Sequence, residues 1–553
     1  MSAPLARRAL LLPVLLALAA SFGAGALAAD RGPWSAIRGE AIRGHVNFLA
    51  DDLLEGRAAA SRGYDIAAAY VAAQFTQYGL VPLEGADSFY QSVPLLEATP
   101  VLPGSSAELV RDDTTHAFEY GTHYLPSADF TSASSTLSAP LAFVGFGVAA
   151  PELGYDDFAA VDLKGRIAVV ISGAPEKFAA HERAFYSSSR HKWATLIQRG
   201  AVGAVFIDSL ADAARVPWER SVAMSWTPQM RWLDEDGEPR DAYPALKLRF
   251  RFNHEAAMQL FTGAAADLEQ VLANAAQGQP QGFEMPGLLT LSATTGLRRT
   301  ASANVVGVLP GSDPRLKSEY IVLTAHLDHI GRGSAVNGDS VYNGAHDNAV
   351  GVAMLLEIAR AFYISGVKPR RSVIFAGVTA EEKGLLGSDY FVDRARAAGL
   401  HLVGNINIDM PMTFAPTRDV VALGAEHSTL GALARAAAAA QGYRLSPDAA
   451  PEEVAFIRSD QFSFIRQGIP ALLLHAGYHA REANVDLAAL TASFRSTHYH
   501  QPSDDISLPM SYTAAADLAR IDLRIALDAA NAPTAPRWNP QDFFGARFQG
   551  PGE

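Results

Sequence analysis

The chain has 553 residues, too many for a single hydrophobic core, so two or three domains are expected. Its 49% apolar and 19% charged residues are globular proportions, and exclude a disordered or fibrous class. A formal charge of −13 argues against nucleic acid and anionic membranes as partners, and the absence of cysteine excludes disulfides, lipidated cysteine and a thiolate metal site.

The chain opens with MSAPLARR, which carries Arg7 and Arg8, followed by an apolar run that ends in Ala26-Leu27-Ala28. This is the pattern of a secretory leader over 1–28, and export to the periplasm or medium is expected. Pro13, Gly23 and Gly25 weaken the alternative of an uncleaved membrane anchor. Loss of the leader removes two positive charges and no acids, so the mature charge is −13 − 2 = −15. No other segment reads as long and apolar enough to span a bilayer.

Residues 36–80 have helical periodicity, with Leu49, Leu53 and Leu54 on one apolar face and Gly79 as a stop. FYQSVPLLEA (89–98) reads as a strand. From about 104 to 286 short β-like runs, among them PLAFVGFGV, GRIAVVIS, GAVGAVFI and ALKLRFRF, are separated by Gly, Pro and Asp. No cluster of reactive side chains is visible there, and an inserted mixed or mostly β domain is expected. From 302 onward strands alternate with helices: NVVGVLPG, YIVLTAH, then the helix VGVAMLLEIARAFYISG; SVIFAGVTAEE, then the helix GLLGSDYFVDRARAAG. LVGNINIDM, the helix LGALARAAAAAQGY, the strand IPALLLHAG and a helix over about 511–531 follow. Such alternation predicts an α/β fold with a mostly parallel, mixed sheet between layers of helices. The stretch from 532, rich in Pro, Asn and Gly, reads as loose.

Five short segments carry metal-binding side chains: AHLDH (325–329), GAHDN (344–348), AEEKG (380–384), NIDM (407–410) and YHQPSDD (499–505). Most follow apolar runs that read as buried strands, and acids and histidines at the carboxyl ends of parallel strands converge in one crevice. Histidines and carboxylates without cysteine suit a hydrolytic two-metal site. Glu381 and Glu382 are adjacent, so one can bind metal while the other acts as general base, although paired acids also suit a helix start. His326 ends its strand, and Asp328 is placed to fix its tautomer by accepting from its second ring nitrogen. His329 is a rival ligand. Asp347 can bridge two ions through its two oxygens, or cap a helix with Asn348; His346 is a weaker ligand candidate. Asp409 follows an apolar run, where a carboxylate needs a partner or a metal. Either His498 or His500 would complete the second ion's shell, with Asp504 and Asp505 supporting the loop.

Taken together, AHLDH, NGAHDNAVG, TAEEKGLLGS, NINIDM and YHQPSDD resemble, in order and over roughly 302–530, metallopeptidase family 28, the co-catalytic dizinc aminopeptidases. FLADDLLEGRAAASRGYDIAAAYVAAQF resembles that family's opening helices, and FVGFGVAAPELGYDDFAAVDLKGRIAVV resembles a protease-associated domain. The resemblance implies a zinc-peptidase, phosphorylase/hydrolase-like fold in five parts. These are the leader, an N-terminal part of the peptidase domain (29–103), the inserted protease-associated domain (104–286), the catalytic segment (287–535) and a loose tail (536–553). It implies two zinc ions and a peptide substrate. His326, Asp347, Glu382, Asp409 and His500 would be ligands, with Asp347 bridging; His500, which directly precedes the Gln-Pro-Ser-Asp segment, is preferred to His498. Glu381 would be the general base and Tyr499 an oxyanion donor, and the Asp347–Asn348 bond is expected to be cis. Departures are His346, which stands where relatives carry a small polar residue, Gln461 and Ser463 in SDQFSF, and a long stretch between Gly477 and His498 that is expected to form a lid. Aminopeptidase action is the expectation. Alternatives are a carboxypeptidase or dipeptidase, for which Arg458 and Arg495 are candidate clamps, a single-zinc glutaminyl cyclase, and a non-catalytic binding protein.

Overall fold

A computed structural model describes residues 32–101, 104–225, 227–451 and 454–549. The expected leader lies outside them. The fold is mixed α/β, built on one large sheet that spans both halves of the chain. Its C-terminal half has the strands Glu319–His326, Ser372–Val378, His401–Asn407 and Ala471–Ala476 side by side and parallel. These are the apolar runs legible in the sequence, and all four are almost fully buried. Parallel strands lie buried on both faces, so helices must cover both. One face carries Gly39–Leu49, Arg62–Gln77, Val350–Ser365 and Tyr512–Asn531, whose apolar stripes close a core around Val46, Phe75, Leu355 and Ile521. The other face packs Phe391, Phe464 and Phe544 against Ile374 and Leu473. The helical run Ala345–Ser365 is, by length and composition alone, apolar enough to cross a membrane, but 78% of that window is buried inside the fold.

Three expectations need correction. The domain boundary placed at 286 falls inside one strand, Phe283–Leu309, which is 27 residues long. Its first part pairs with Ser134–Phe143 of the insert and its last part with Ser372–Val378 of the C-terminal half. Between them Tyr90–Pro100 runs antiparallel to it, register Tyr90↔Val305 through Pro100↔Thr295. The exposed Arg298-Arg299 pair in mid-strand interrupts the apolar pattern, so the sequence reads as two strands. Second, of the two forms expected for the insert, the mixed one holds and the mostly β one does not. Its strands Ile167–Ile171, Gly203–Ile207 and Leu248–Phe252 are parallel, and parallel neighbours need crossover connections, here built from short helices such as Ser189–Gln198. Third, the tail is packed. Phe543–Phe548 is a helix capped by Asp542, and the Phe544 side chain is fully buried. Trp538 Nε1 donates to Gly468 O at 2.7 Å, Asp542 meets His427 at 2.6 Å, and Arg547 reaches Glu152 of the insert. Three aromatic side chains over six positions outweigh the loop-forming composition around them.

Candidate metal centre

The site forms where three neighbouring parallel strands end. His326 is the last residue of its strand, Glu381 and Glu382 follow Val378 on the next, and Asp409 follows Asn407 on the third. Asp347 enters from the turn before the helix Val350–Ser365. Asn348 fixes that turn: its Nδ2 donates to Ile408 O at 2.9 Å, and its Oδ1 accepts from Gly351 N and Met410 N at 3.2 and 3.3 Å. This ties the Asp347 turn to the strand end that carries Asp409. Gly351 permits the approach, since a Cβ there would sit 2.1 Å from the Asn348 Oδ1. Asp504 accepts from the amides of His346 and Asp347 at 2.9 and 3.1 Å, the loop support expected of it. The Asp347–Asn348 bond is cis.

Two groups of donor atoms result, and Asp347 belongs to both. His326 Nε2 lies 3.2 Å from Asp347 Oδ1 and 3.1 Å from Asp409 Oδ1. His500 Nε2 lies 3.2 Å from Asp347 Oδ2 and 3.1 Å from Glu382 Oε2. Ligands about 2.0–2.2 Å from a tetrahedral ion lie roughly 3.3–3.6 Å apart, so both groups have the spread of a first coordination shell. His329 competes for the second group, with Nδ1 2.7 Å from Glu382 Oε1 and 3.9 Å from Asp347 Oδ2. Because it meets the Glu382 oxygen turned away from His500, it orients that carboxylate from behind. His346 is packed between Phe414 and Phe494, and His498 bonds Ser503 at 2.8 Å, so neither ring joins a group.

Asp328 is buried but does not meet His326 as expected. His326 Nδ1 contacts the main-chain oxygen of Asp328 at 3.1 Å, whereas the Asp328 carboxylate accepts from the amides of Glu381 and Glu382 at 3.1 and 3.4 Å. The strand-end turn puts the carbonyl, not the side chain, beside the ring. Asp328 therefore shapes the Glu381–Glu382 turn. Tyr499 stacks on His500 with ring centroids 3.8 Å apart.

Electrostatics follow from burying this many carboxylates together. Burial, with the Glu382 and Asp409 carboxylates added to it and His326 opposing, pushes the Glu381 carboxyl well above its usual range. Burial alone would discharge His500, but Glu382 and Asp347 outweigh it and raise its pKa to about 9. Asp409 likewise holds His326 well above the usual histidine range against its burial. The two histidines in turn hold the Asp347 carboxyl well below its normal value despite burial. A buried cluster of this sign is stable only when balanced by positive charge, and two divalent cations would provide it.

Residues 304–526 match the family model described as Peptidase family M28. This segment belongs to peptidase family M28. The M28 segment is also 33% identical over 108 residues to leupeptin-inactivating enzyme 1 of Streptomyces exfoliatus, and 35% identical over 107 residues to a probable zinc metalloprotease of Pyrenophora teres f. teres. Each match covers 19% of this chain and 22% of the relative. The aminopeptidase from Aneurinibacillus sp. strain AM-1 shares the fold, with a TM-score of 0.51 at 19% identity over 92% of this chain and 96% of that one.

Sequence reasoning missed one residue at the base of the M28 site. Arg57, 1% exposed, donates to Leu327 O at 3.0 Å, Asn343 O at 2.6 Å, Gly344 O at 3.1 Å and also to Leu49 O. It thus joins the loop after His326 to the loop before Asp347. The available signal was the single basic residue of the segment LLEGRAAA.

Proposed function

We propose that the chain is an exported, zinc-dependent aminopeptidase that removes N-terminal residues from peptides at a two-zinc site. The observation that carries the reading is the division of Asp347, one oxygen toward His326 and Asp409 and the other toward His500 and Glu382. His326, Asp347 and Asp409 would hold one ion, and His500, Asp347 and Glu382 the other; no cysteine competes, and an imidazole–carboxylate set suits zinc. When bound, the ions supply Lewis acidity and a water whose pKa is lowered toward about 7. Glu381 lines the same cavity and binds neither ion in this arrangement, which suits it to take the proton of the attacking water and return it to the leaving amine. Tyr499, also lining the cavity, is suited to donate to the oxyanion of the tetrahedral intermediate. Residues 1–28 would direct export.

The test is hydrolysis of aminoacyl-nitroanilides and of N-acetylated peptides by zinc-loaded protein, with metal content measured. Free amino termini should be required, with two zincs bound per chain. Glu381→Gln should keep both zincs and lose about 100-fold or more in kcat. Near-normal turnover with both metals present would remove the base assignment, and equal cleavage of acetylated peptides would remove the aminopeptidase reading.

A further inference from the structure

The turn that carries Glu381 and Glu382 is held against its own backbone preferences. Ala380 and Leu385 have φ of 54° and 63° and Gly384 has φ of 106°, so half of the run 380–385 is left-handed. Residues other than glycine rarely adopt that conformation, and it persists where the surroundings over-determine it. Within the M28 segment, the Asp328 carboxylate accepts from the amides of Glu381 and Glu382. The insert meets the same turn across a hollow of about 260 Å³, lined by Ser188, Ser189 and Arg190 from the insert and by Glu381, Glu382 and Gly384 from the M28 segment. Close packing therefore does not fix the turn there.

Arg190 crosses that gap. It stands at the start of the helix Ser189–Gln198, and its Nη2 donates to Gly384 O at 3.0 Å and lies 2.7 Å from Asp389 Oδ2. Asp389 sits in the first turn of the next helix, Leu386–Ala397, and its side chain is 4% exposed. One guanidinium thus clasps a carbonyl of the turn and the helix that follows it. Its Nε pairs with Asp241 of the insert at 3.0 Å, which anchors the arm at its own end. Neutralising Asp389 does not call for this arm, because Arg466 of the M28 segment already pairs with that carboxylate. The bond to Gly384 O neutralises nothing. A planar fork can hold a carbonyl and a carboxylate at a fixed angle, which an ammonium cannot.

We propose that Arg190 is a positioning residue through which the insert sets the Glu381–Gly384 turn, and so completes the place of the ion that Glu382 and His500 would hold. This rests on the two-zinc reading above. Asp328 fixes the amide end of the turn and Arg190 its carbonyl end, so both parts of the chain assemble the metal centre. His326, Asp347 and Asp409 stand on other strand ends and turns and do not depend on the arm.

The experiment uses the full chain and two readouts. Hydrogen exchange over 380–388 is followed by mass spectrometry in metal-free protein, and zinc is titrated against a competing chelator. Arg190→Met should speed exchange over 380–388 about tenfold and leave the strand Glu319–His326 unchanged. It should weaken one of the two zincs about tenfold or more, while the other keeps its affinity. Arg190→Lys should recover part of both losses. Arg547→Met is the control, since it cuts a different tie to the insert, the one at Glu152. It should lower the melting temperature without altering exchange in the turn or the affinity of either zinc. Equal effects of Arg190→Met and Arg547→Met on the turn and the zincs would make Arg190 an ordinary docking contact and overturn the proposal. Wild-type exchange and zinc affinity in Arg190→Met would overturn it too. Should Arg190→Met not fold, Arg190→Lys decides on the same readouts. If the wild-type chain takes up fewer than two zincs, the two-zinc reading fails and the exchange comparison decides alone: faster exchange confined to the turn of the Arg190 variants sustains the bracing, and its absence ends it.

Discussion

Replacing Arg57 should reveal how the metal loops are held in register. Its guanidinium is buried beneath the site and donates to four main-chain oxygens, two of them on the turn that leads to Asp347 and one just after His326. Arg57→Met keeps most of the volume and removes every donor. Hydrogen bonds from a charged donor contribute about 1.5–3 kcal/mol each, and carbonyls left bare inside cost about 1–3 kcal/mol, offset by no longer burying a charge. The net loss should be about 3–5 kcal/mol, the range found when one partner is taken from a buried ionic cluster. The nearby carboxylates of Asp504, Asp328 and Asp347 also lose the cation that faces them. Arg57→Lys keeps charge but has three donors in the wrong geometry, and should lose about half as much. The assay is urea unfolding of metal-free protein, paired with zinc titration at pH 7. Zinc affinity should fall at least about tenfold, because metal ligands need their supporting hydrogen bonds. A change below about 1 kcal/mol with unchanged zinc affinity would refute the argument.

Other outcomes follow from the same geometry. In metal-free protein His500 has its pKa raised to about 9, so its contribution to stability is complete below about 6.5 and is lost as pH rises through 9. Zinc must displace that proton, so uptake at pH 7 should release protons, read as a buffer-dependent calorimetric heat; no release would contradict the pairing of His500 with Glu382 and Asp347. Phe544→Ala should cost about 3–5 kcal/mol in urea unfolding, because that ring is fully buried; a loss near zero would mean the C-terminal helix is not docked. Asp328→Asn should lower kcat with little change in zinc content, because its carboxylate holds the amides of Glu381 and Glu382; loss of zinc from the His326 group would contradict that.

The catalytic half was legible because its strands are unbroken apolar runs with chemistry at their ends. YIVLTAH and LVGNINIDM correspond to Glu319–His326 and His401–Asn407, and the helix expected from Val350 runs to Ser365. The chain order of the motifs gave the participants, but not which atoms meet. Both His326 and His329 stood as candidates, and only the fold shows one ring between two carboxylates and the other behind Glu382. Asp419–Leu423, a buried five-residue strand, was missed because so short a run carries no period. Arg57 was invisible for another reason. Apart from Leu49 O, its partners are main-chain oxygens 270 to 287 residues away, and a carbonyl has no sequence signature.

The strand Phe283–Leu309 makes the insert something other than a hinged cover. Past an irregularity between Met285 and Leu288, its pairing runs on from one half of the molecule to the other, so swinging the insert aside would tear a shared ladder. Admission of a peptide must then come from flexing and twisting a beam that both halves share. The same beam should make heat or denaturant dissolve them in one step, and should make excision of residues 104–286 a loss of the whole fold rather than the removal of an accessory.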